Sequence, residues 1–235
     1  MYKNKNINNL TYFRKLLANN QHKESSEINK ILNWRKKLLK NSSIKTKLIN
    51  FNKCKDWYLD KNNNITHKSG QFFKVQAVKI QGAKKREVSN WYQPILTQKH
   101  GGILAFIARF TPSRGVEFLL EGKTEPGDNS DIKIAASFQC TQSNINRAHG
   151  GKLPKFYDIV VKLKGAKLIY YASHNEEGAR FWKKTNLNVI VMLKNPHDKR
   201  INGKNYIWAN LGQIKKIGLK NNIVTPFVKT ILFMI

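Results

Sequence analysis

The chain has 235 residues, enough for one large domain or two small ones around a real apolar core. Apolar residues make up 40% of it, with 12 Phe, 8 Tyr and 5 Trp, which excludes a disordered chain. The formal net charge of +29 ordinarily points to nucleic acid or another polyanion. Yet Lys, Asn, Ile, Phe and Tyr are abundant together, and all five can be encoded by A and T alone. Tracts such as NKNINN and DKNNNI therefore read as compositional drift around a small anionic ligand, and a nucleic-acid partner is not expected. The two cysteines, Cys54 and Cys140, fit no metal spacing and read as reduced thiols. The start MYKNKNINNL lacks the apolar centre of an export signal, and no run approaches the roughly 20 apolar residues of a membrane span. A cytoplasmic protein without a membrane partner is expected.

Residues 1–50 form a basic segment that reads as helical. Ile28, Ile31, Leu32, Leu38 and Leu39 keep helical spacing, Lys30, Lys36, Lys37 and Lys40 lie off that stripe, and Ser25 is a candidate N-cap. The composition changes near Asp56, and residues 51–235 read as the main module. Strands are predicted over 71–80, 94–98, 102–110, 116–121, 132–140, 159–163, 167–172 and 188–193, separated by turns such as TPSRG, EPGDN and HGGKLP. Two later helices are predicted, one over 176–184 and one starting near Asn210, where Asn210 and Gln213 have capping-box spacing. The fold class is α+β, with a curved, mostly antiparallel mixed sheet flanked by helices.

Several familiar motifs fail. Gly122-Lys123-Thr124 suggests a phosphate loop, but that loop needs a glycine where this chain has Glu117. No dinucleotide-binding glycine pattern follows a strand, no G-x-S-x-G elbow occurs, and the six histidines are scattered singly. Neither a metal nor a cofactor is expected.

The surviving patches share a character. His67-Lys68-Ser69-Gly70-Gln71-Phe72-Phe73 joins a histidine turn to aromatic residues, and Trp91-Tyr92-Gln93-Pro94 sets two rings beside an amide. Lys123 and Glu125 stand two apart, so on one face of a strand. Gln139, Thr141 and Ser143 alternate likewise, followed by Asn144, Arg147 and His149; Glu176 through Arg180 leads to Lys183 and Lys184. Rings can stack a base, cations can hold a diphosphate, and carboxylates, hydroxyls and amides can hold a sugar. Together the patches suit a nucleotide-linked sugar.

These residues stand in a familiar order: His67-x-Ser69-Gly70-x-Phe72-Phe73, Trp91-x-Gln93-Pro94-Ile95, Lys123-x-Glu125-Pro126-Gly127, Gln139-x-Thr141-x-Ser143-Asn144, His149-Gly150-Gly151, Glu176-x-Gly178-Ala179-Arg180-Phe181 and Trp208-x-x-Leu211-Gly212-Gln213. The order resembles the NDP-hexose 2,3-dehydratase family over residues 56–235. The resemblance implies a Nudix-like α+β module without the metal-binding helix of Nudix hydrolases, and a nucleotide-linked hexose substrate, commonly a dTDP-4-keto-6-deoxyhexose. It implies one module where family members carry two, and hence a homodimer, with the C-terminal run Ile231–Ile235 or Pro94–Leu96 at the contact. Phe227-Val228-Lys229-Thr230 replaces the usual Asp-Thr-Arg-Thr run, and Thr185 and Leu187 stand where arginine is usual.

Eliminating the C2 hydroxyl of a 4-keto sugar needs a base for the C3 proton, an acid for the departing oxygen and a donor to the enolate. Glu125, Glu176, His149 and Lys123 are the catalytic candidates. His67, Phe72, Phe73, Trp91, Gln93, Gln139, Thr141, Ser143, Asn144, Arg147, Arg180 and Lys183 are the candidate substrate contacts. Among these, Arg147, Arg180 and Lys183 are expected at the diphosphate, and Trp91, Phe72 or Phe73 at the base or ribose. A non-catalytic nucleotide-sugar binding module and a nucleic-acid binder are the competing function classes.

Overall fold

A computed structural model describes residues 8–23, 27–128, 131–148, 150–175, 180–232 and 235. Two N-terminal helices, α1 (Asn8–Asn19) and α2 (Asn29–Lys40), precede a small sheet of β1 (Trp57–Leu59), β2 (Ile65–His67), β3 (Lys74–Ile80) and β4 (Trp91–Thr97). Its four strands run antiparallel in sequence order. The chain then enters the large sheet through β5 (Gly102–Thr111) and β6 (Gly115–Lys123). Both strands are buried along most of their length, β5 almost wholly apolar and β6 around its Phe118–Leu120 centre, which is why they become the middle of the sheet.

The expected strand over 132–140 breaks in two at Ser137, giving β7 (Lys133–Ala136) and β8 (Phe138–Thr141). β7 pairs with β6 and β8 with β5. The hairpin strands β5 and β6 pair directly only from Ala108↔Phe118 to Thr111↔Gly115, and beyond that point the two short strands fill the gap between them. Ser137 holds the break, because its Oγ accepts from Ile107 N at 2.7 Å and donates to Ala105 O at 3.3 Å. A short helix α3 (Gln142–Ile145) follows, then α4 (Tyr157–Val160), β9 (Ala166–Asn175), β10 (Thr185–Leu193), β11 (Tyr206–Asn210), α5 (Leu211–Gly218) and α6 (Pro226–Leu232). The main path of the large sheet is β11-β6-β5-β10-β9, with β10 parallel to β5 and the other pairs antiparallel. The α+β class expected from the sequence is observed.

The large sheet buries a core on each face. On one, Phe106, Phe118, Leu120 and Ile190 meet Phe13 and Leu17 of α1, Ile31 of α2, Ile214 and Ile217 of α5, and Val228 of α6. On the other, Ile107, Leu119, Phe138 and Val191 meet Phe156, Ile159 and Val160 at α4. Each fully buried large side chain of this kind contributes about 1.5–3 kcal/mol. The basic N-terminal helices are thus part of the first core. Ile235 packs against that core too, inside its own chain; the other residues of the C-terminal run have side chains outside the described set.

Four local expectations are corrected. The helical reading of residues 1–50 fails over 42–50, which are irregular. Residues 157–160 form α4 rather than a strand, because a short apolar run bounded by turns does not distinguish a strand from one buried helical turn. Residues 180–184 are not helical: Leu96 N donates to Arg180 O at 2.9 Å and Trp182 N to Leu96 O at 2.7 Å, tying this segment to the end of β4. The N-cap position of α2 is Ile28, with no side-chain cap, and Ser25 lies outside the described residues. The expected capping box is present, with Asn210 and Gln213 exchanging side-chain and backbone bonds at α5. No helix among the described residues is long and apolar enough to cross a membrane.

Candidate functional site

The strand registers bring several segments to one end of the large sheet, opposite the Thr111–Gly115 turn. β5, β10 and β11 begin there, while β6, β8 and β9 end there. Gly101 and Gly102 open β5 at this end. A Cβ on Gly101 would overlap the Thr185 carbonyl, and one on Gly102 would lie 2.8 Å from Cys140 O, so only glycine lets β10 and β8 approach this closely. Asn186 Oδ1 accepts from Gly102 N at 2.8 Å and completes the junction.

A cleft of about 370 Å³ opens beside it, lined by Gly70, Gln71 and Phe72 from the turn before β3, Gln98 to His100 before β5, and Gln142, Ser143 and Asn146 around α3. The turn is held by His67, whose Nδ1 is 2.8 Å from Ser69 Oγ and accepts from Ser69 N at 3.1 Å. His67 meets Phe72 edge-on at 4.6 Å and Trp57 at 5.3 Å, and Trp57 packs on Phe73 at 4.9 Å. Of the expected contacts, Phe72 and Ser143 therefore line the cleft, while His67 and Phe73 support its wall.

Thr141 and Ser143 do not alternate along a strand as expected, because β8 ends at Thr141. Thr141 N-caps α3, its Oγ1 accepting weakly from Asn144 N at 3.4 Å and lying 2.7 Å from Ser143 Oγ. Gln139 is half-buried in mid-strand opposite Leu104. Arg147 follows α3 with a left-handed backbone, φ 55°, and an exposed side chain. Arg180 and Lys183 are exposed beside the bridge to β4.

Trp91 and Gln93 are not brought to the cleft. They bond to each other at 2.8 Å at the start of β4, and strand geometry puts Trp91 about 17 Å from Leu96 at the site end. His149 and Glu176 lie outside the described residues.

The second feature at this end is a row of charged side chains: Glu121 and Lys123 lie on one face of β6, whereas Glu125 lies past the end of the strand at Lys123 and not on its face as expected. Lys123 Nζ is 2.7 Å from Glu125 Oε1, an ion pair whose angles fall short of hydrogen-bond geometry. Glu121, two residues before Lys123, points to the same face. Asn205 Nδ2 and Tyr206 Oη, at the start of β11, both donate to its Oε1, at 3.1 and 3.2 Å. Burial pushes the Glu121 carboxyl above the usual glutamate range, and the Glu125 charge adds to the rise, against the opposing pull of Lys123 and the two donors. Burial and the neighbouring Glu121 push the Tyr206 phenol up as well.

Helix α2 braces this row from the opposite face of the sheet. A Cβ on Gly122 would overlap Leu38 and come 3.1 Å from Trp34, so the glycine of the Gly-Lys-Thr triplet serves helix packing rather than phosphate binding. Trp34 Nε1 donates to Lys204 O at 2.8 Å, one residue before Asn205. Arg35 donates to Ile132 O and Asp131 Oδ1, both at 2.6 Å, and Lys133 Nζ donates to Asp131 Oδ2 at 2.9 Å, fixing the far end of the loop that carries Glu125. Burial alone would raise the Asp131 carboxyl, but the bonds from Lys133 and Ile132 N and the charge of Arg35 hold it below the usual range.

Sequence reasoning missed Glu121, Asn205, Tyr206, Lys99, His100, Gln142 and Asn146. Only Glu121 carried a local signal, the Glu-x-Lys-x-Glu alternation. Among the described residues no group of three His, Cys, Asp or Glu side chains could hold a metal ion. Cys140 is free and buried, and burial pushes its thiol up to about 12, so it is inert packing.

An α+β chain with a polar cleft and a carboxylate–lysine row at one sheet end suits a polar, anionic small molecule. The chain belongs to the NDP-hexose 2,3-dehydratase family, whose model matches residues 28–235. It is 26% identical over 200 residues to a dTDP-4-dehydro-6-deoxy-alpha-D-glucopyranose 2,3-dehydratase of Saccharopolyspora spinosa, covering 85% of this chain and 40% of that protein. It is 27% identical over 184 residues to a protein of the same name from Amycolatopsis orientalis, covering 75% and 37%. The chain thus spans about 40% of the length of these relatives. Among solved structures it is similar to an ADP compounds hydrolase (10% identity, TM-score 0.41, 70% of this chain and 84% of that one). It is also similar to the Nudix hydrolase RenU of M. smegmatis (12% identity, TM-score 0.32, 66% and 91%).

Proposed function

We propose that this chain binds a dTDP-linked 4-keto-6-deoxyhexose and eliminates its C2 hydroxyl, giving a 3,4-diketo-2,6-dideoxy sugar for deoxysugar biosynthesis. The observation that carries the reading is the family match, which runs through both the cleft and the charge row. The names of the relatives supply the nucleotide and the sugar.

In this reading the sugar lies between the cleft and the row on β6. A base removes the C3 proton, made acidic by the C4 carbonyl; Glu125, Glu176 and His149 are the candidates. Lys123 offers positive charge to the enolate oxygen, a contact that strengthens as the charge develops. Phe72 offers a ring face to the nucleoside, with His67 and Phe73 behind it. Gln139, Thr141, Ser143 and Asn144 supply polar contacts, and Arg147, Arg180 and Lys183 supply the cations for the diphosphate. Trp91 and Gln93 would reach the ligand only by way of a second chain. Residues 51–235 form the catalytic module, with 1–50 as its basic helical segment. The working assembly is a cytoplasmic homodimer, for which light scattering near twice 27.2 kDa is the expected result.

The test is mass spectrometry of dTDP-4-keto-6-deoxyglucose incubated with the protein in deuterated buffer. Loss of one water with deuterium entering the sugar ring is expected. Tight binding without water loss would leave a binding module, and intact substrate across dTDP- and GDP-linked 4-keto sugars would overturn the reading.

A further inference from the structure

The elimination has to protonate its leaving oxygen, and hydroxide is a poor leaving group without that proton. An acid suited to this needs to hold its proton more firmly than a solvated carboxyl, to stand beside the base, and to keep one oxygen turned away from its own support. Among the described residues at the site end, Glu121 combines these features. We propose that Glu121 is the proton donor to the departing C2 hydroxyl. The proposal rests on the dehydratase reading and adds a residue to it.

The geometry supplies the argument. Glu121 and Lys123 alternate onto one face at the end of β6, and Glu125, two residues past the strand, is tied to Lys123 by their 2.7 Å ion pair, so the donor, the enolate's cation and a candidate base stand together. Asn205 and Tyr206 both donate to Oε1, which fixes the carboxyl and leaves Oε2 for the proton and the substrate. Those supports are neutral and come from another strand, β11, whose first residues are tethered to α2 through Trp34 and Lys204. The charged and titratable groups facing the carboxyl are Lys123 and Glu125 from its own segment and Tyr206 from β11, with Lys155 Nζ 4.9 Å above the Tyr206 ring. Its register partner on β7 is Ala135, which brings no charge. Burial keeps the acid protonated to a higher pH than a solvated glutamate, as a proton donor requires.

The step balances. The base takes the C3 proton, and the C–H electrons form the C3–C4 double bond with the negative charge on O4. The C2–O bond then breaks as the enolate electrons form the C2–C3 double bond. Glu121 gives its proton to the leaving oxygen, so water departs and a carboxylate remains. The C3 enol loses its hydroxyl proton and takes one at C2, and solvent returns the base's proton to Glu121.

Donor and base separate experimentally, because exchange at C3 needs only the base. With Glu121→Gln, wash-in of deuterium at C3 of the recovered 4-keto sugar should persist, while water loss falls by about 100- to 10,000-fold. Gln keeps an oxygen for Asn205 and Tyr206, so dTDP binding and the melting transition should stay near wild type. Near wild-type water loss in the variant would overturn the proposal. Loss of exchange together with elimination would overturn it too, by making Glu121 the base. Should Glu121→Gln fail to fold, Tyr206→Phe gives a second reading. Losing that donor raises the Glu121 pKa further, so the alkaline limb of kcat against pH should move to higher pH. A limb that stays in place would contradict the proposal. A wild-type protein inactive on every 4-keto sugar nucleotide would instead remove the dehydratase reading on which this rests.

Discussion

Two glutamates four residues apart on one face of β6 live under opposite regimes. Glu117, at the turn end, is 1% exposed and fully engaged by cations. Arg109 donates from Nε at 2.9 Å and lies at 2.7 Å through Nη2, Arg114 approaches at 3.2 Å, and the Arg109 guanidinium stacks 4.2 Å over Trp208. Among the described residues Glu121, at the open end, accepts hydrogen bonds from two neutral donors on one oxygen, and the cation Lys123 acts on it through charge alone. A carboxylate held by two guanidiniums is a structural anion. A carboxyl held by neutral donors in a buried place is free to exchange a proton. In the proposed reading the same strand ends in scaffold on one side and in chemistry on the other.

The largest effect expected from breaking this contrast is on stability. Glu117→Ala leaves the Arg109 cation largely buried without its anion, and a loss of about 3–5 kcal/mol is expected in chemical denaturation. Turnover per folded molecule should stay near wild type. A second variant strikes the site end through its packing. Gly122→Ala drives a methyl into Leu38 and Trp34, with an expected cost of about 1–3 kcal/mol by denaturation. Because the adjoining residues are Glu121 and Lys123, kcat should fall with it, unlike in the Glu117 variant.

A smaller effect marks a motif that belongs to the scaffold despite its place in the family pattern. In the Trp208–Gln213 motif, Asn210 and Gln213 close the capping box of α5, and Gln213 Nε2 also donates to Glu27 O at 2.7 Å. Asn210→Ala should cost about 1 kcal/mol of stability and leave kcat unchanged. The smallest effect is a pH slope. Asp131 has a folded pKa below its ordinary 3.8, so its ties to Arg35 and Lys133 stabilise the fold above that value and are lost as pH falls through the folded pKa. Melting curves should drop on acidification below about 3.8, and Asp131→Asn should remove part of that slope.

The scaffold was more legible than the chemistry. The expected β5 and β6 match to within two residues at each end, and β10 is recognised although it begins three residues before the expected start, because continuous Val, Ile, Leu and Phe runs bounded by turns announce central strands. Helical spacing shows most of the α2 stripe, with Ile28 and Ile31 buried but Leu39 exposed and Trp34 packed in its stead, and capping-box spacing shows the Asn210 cap. The break at Ser137 was hidden, since it depends on β5 and β6 parting, which no neighbouring residue encodes. α4 was misread because its single turn buries Ile159 and Val160 as a strand would. Among candidate residues, the His67–Phe73 turn was legible from type and spacing, and the Lys123–Glu125 ion pair from type, although Glu125 lies past the strand expected to carry it. Tyr206 was not, because it meets Glu121 only through the pairing of β11 with β6, across 85 residues of chain. Trp91 looked like a ligand-stacking ring, yet strand length carries it away from the cleft. Gly122 looked like a phosphate loop and is the seat of α2.

The contrast between the two glutamates is tested most directly by one paired measurement. Glu117→Gln and Glu121→Gln are each assayed for kcat on dTDP-4-keto-6-deoxyglucose and for denaturation midpoint. The account predicts a crossed result: Gln at 117 lowers the midpoint and spares kcat, whereas Gln at 121 abolishes most of kcat and spares the midpoint. If both variants lose stability and turnover in proportion, or if Gln at 121 leaves turnover intact, the division of β6 into scaffold and chemistry is wrong.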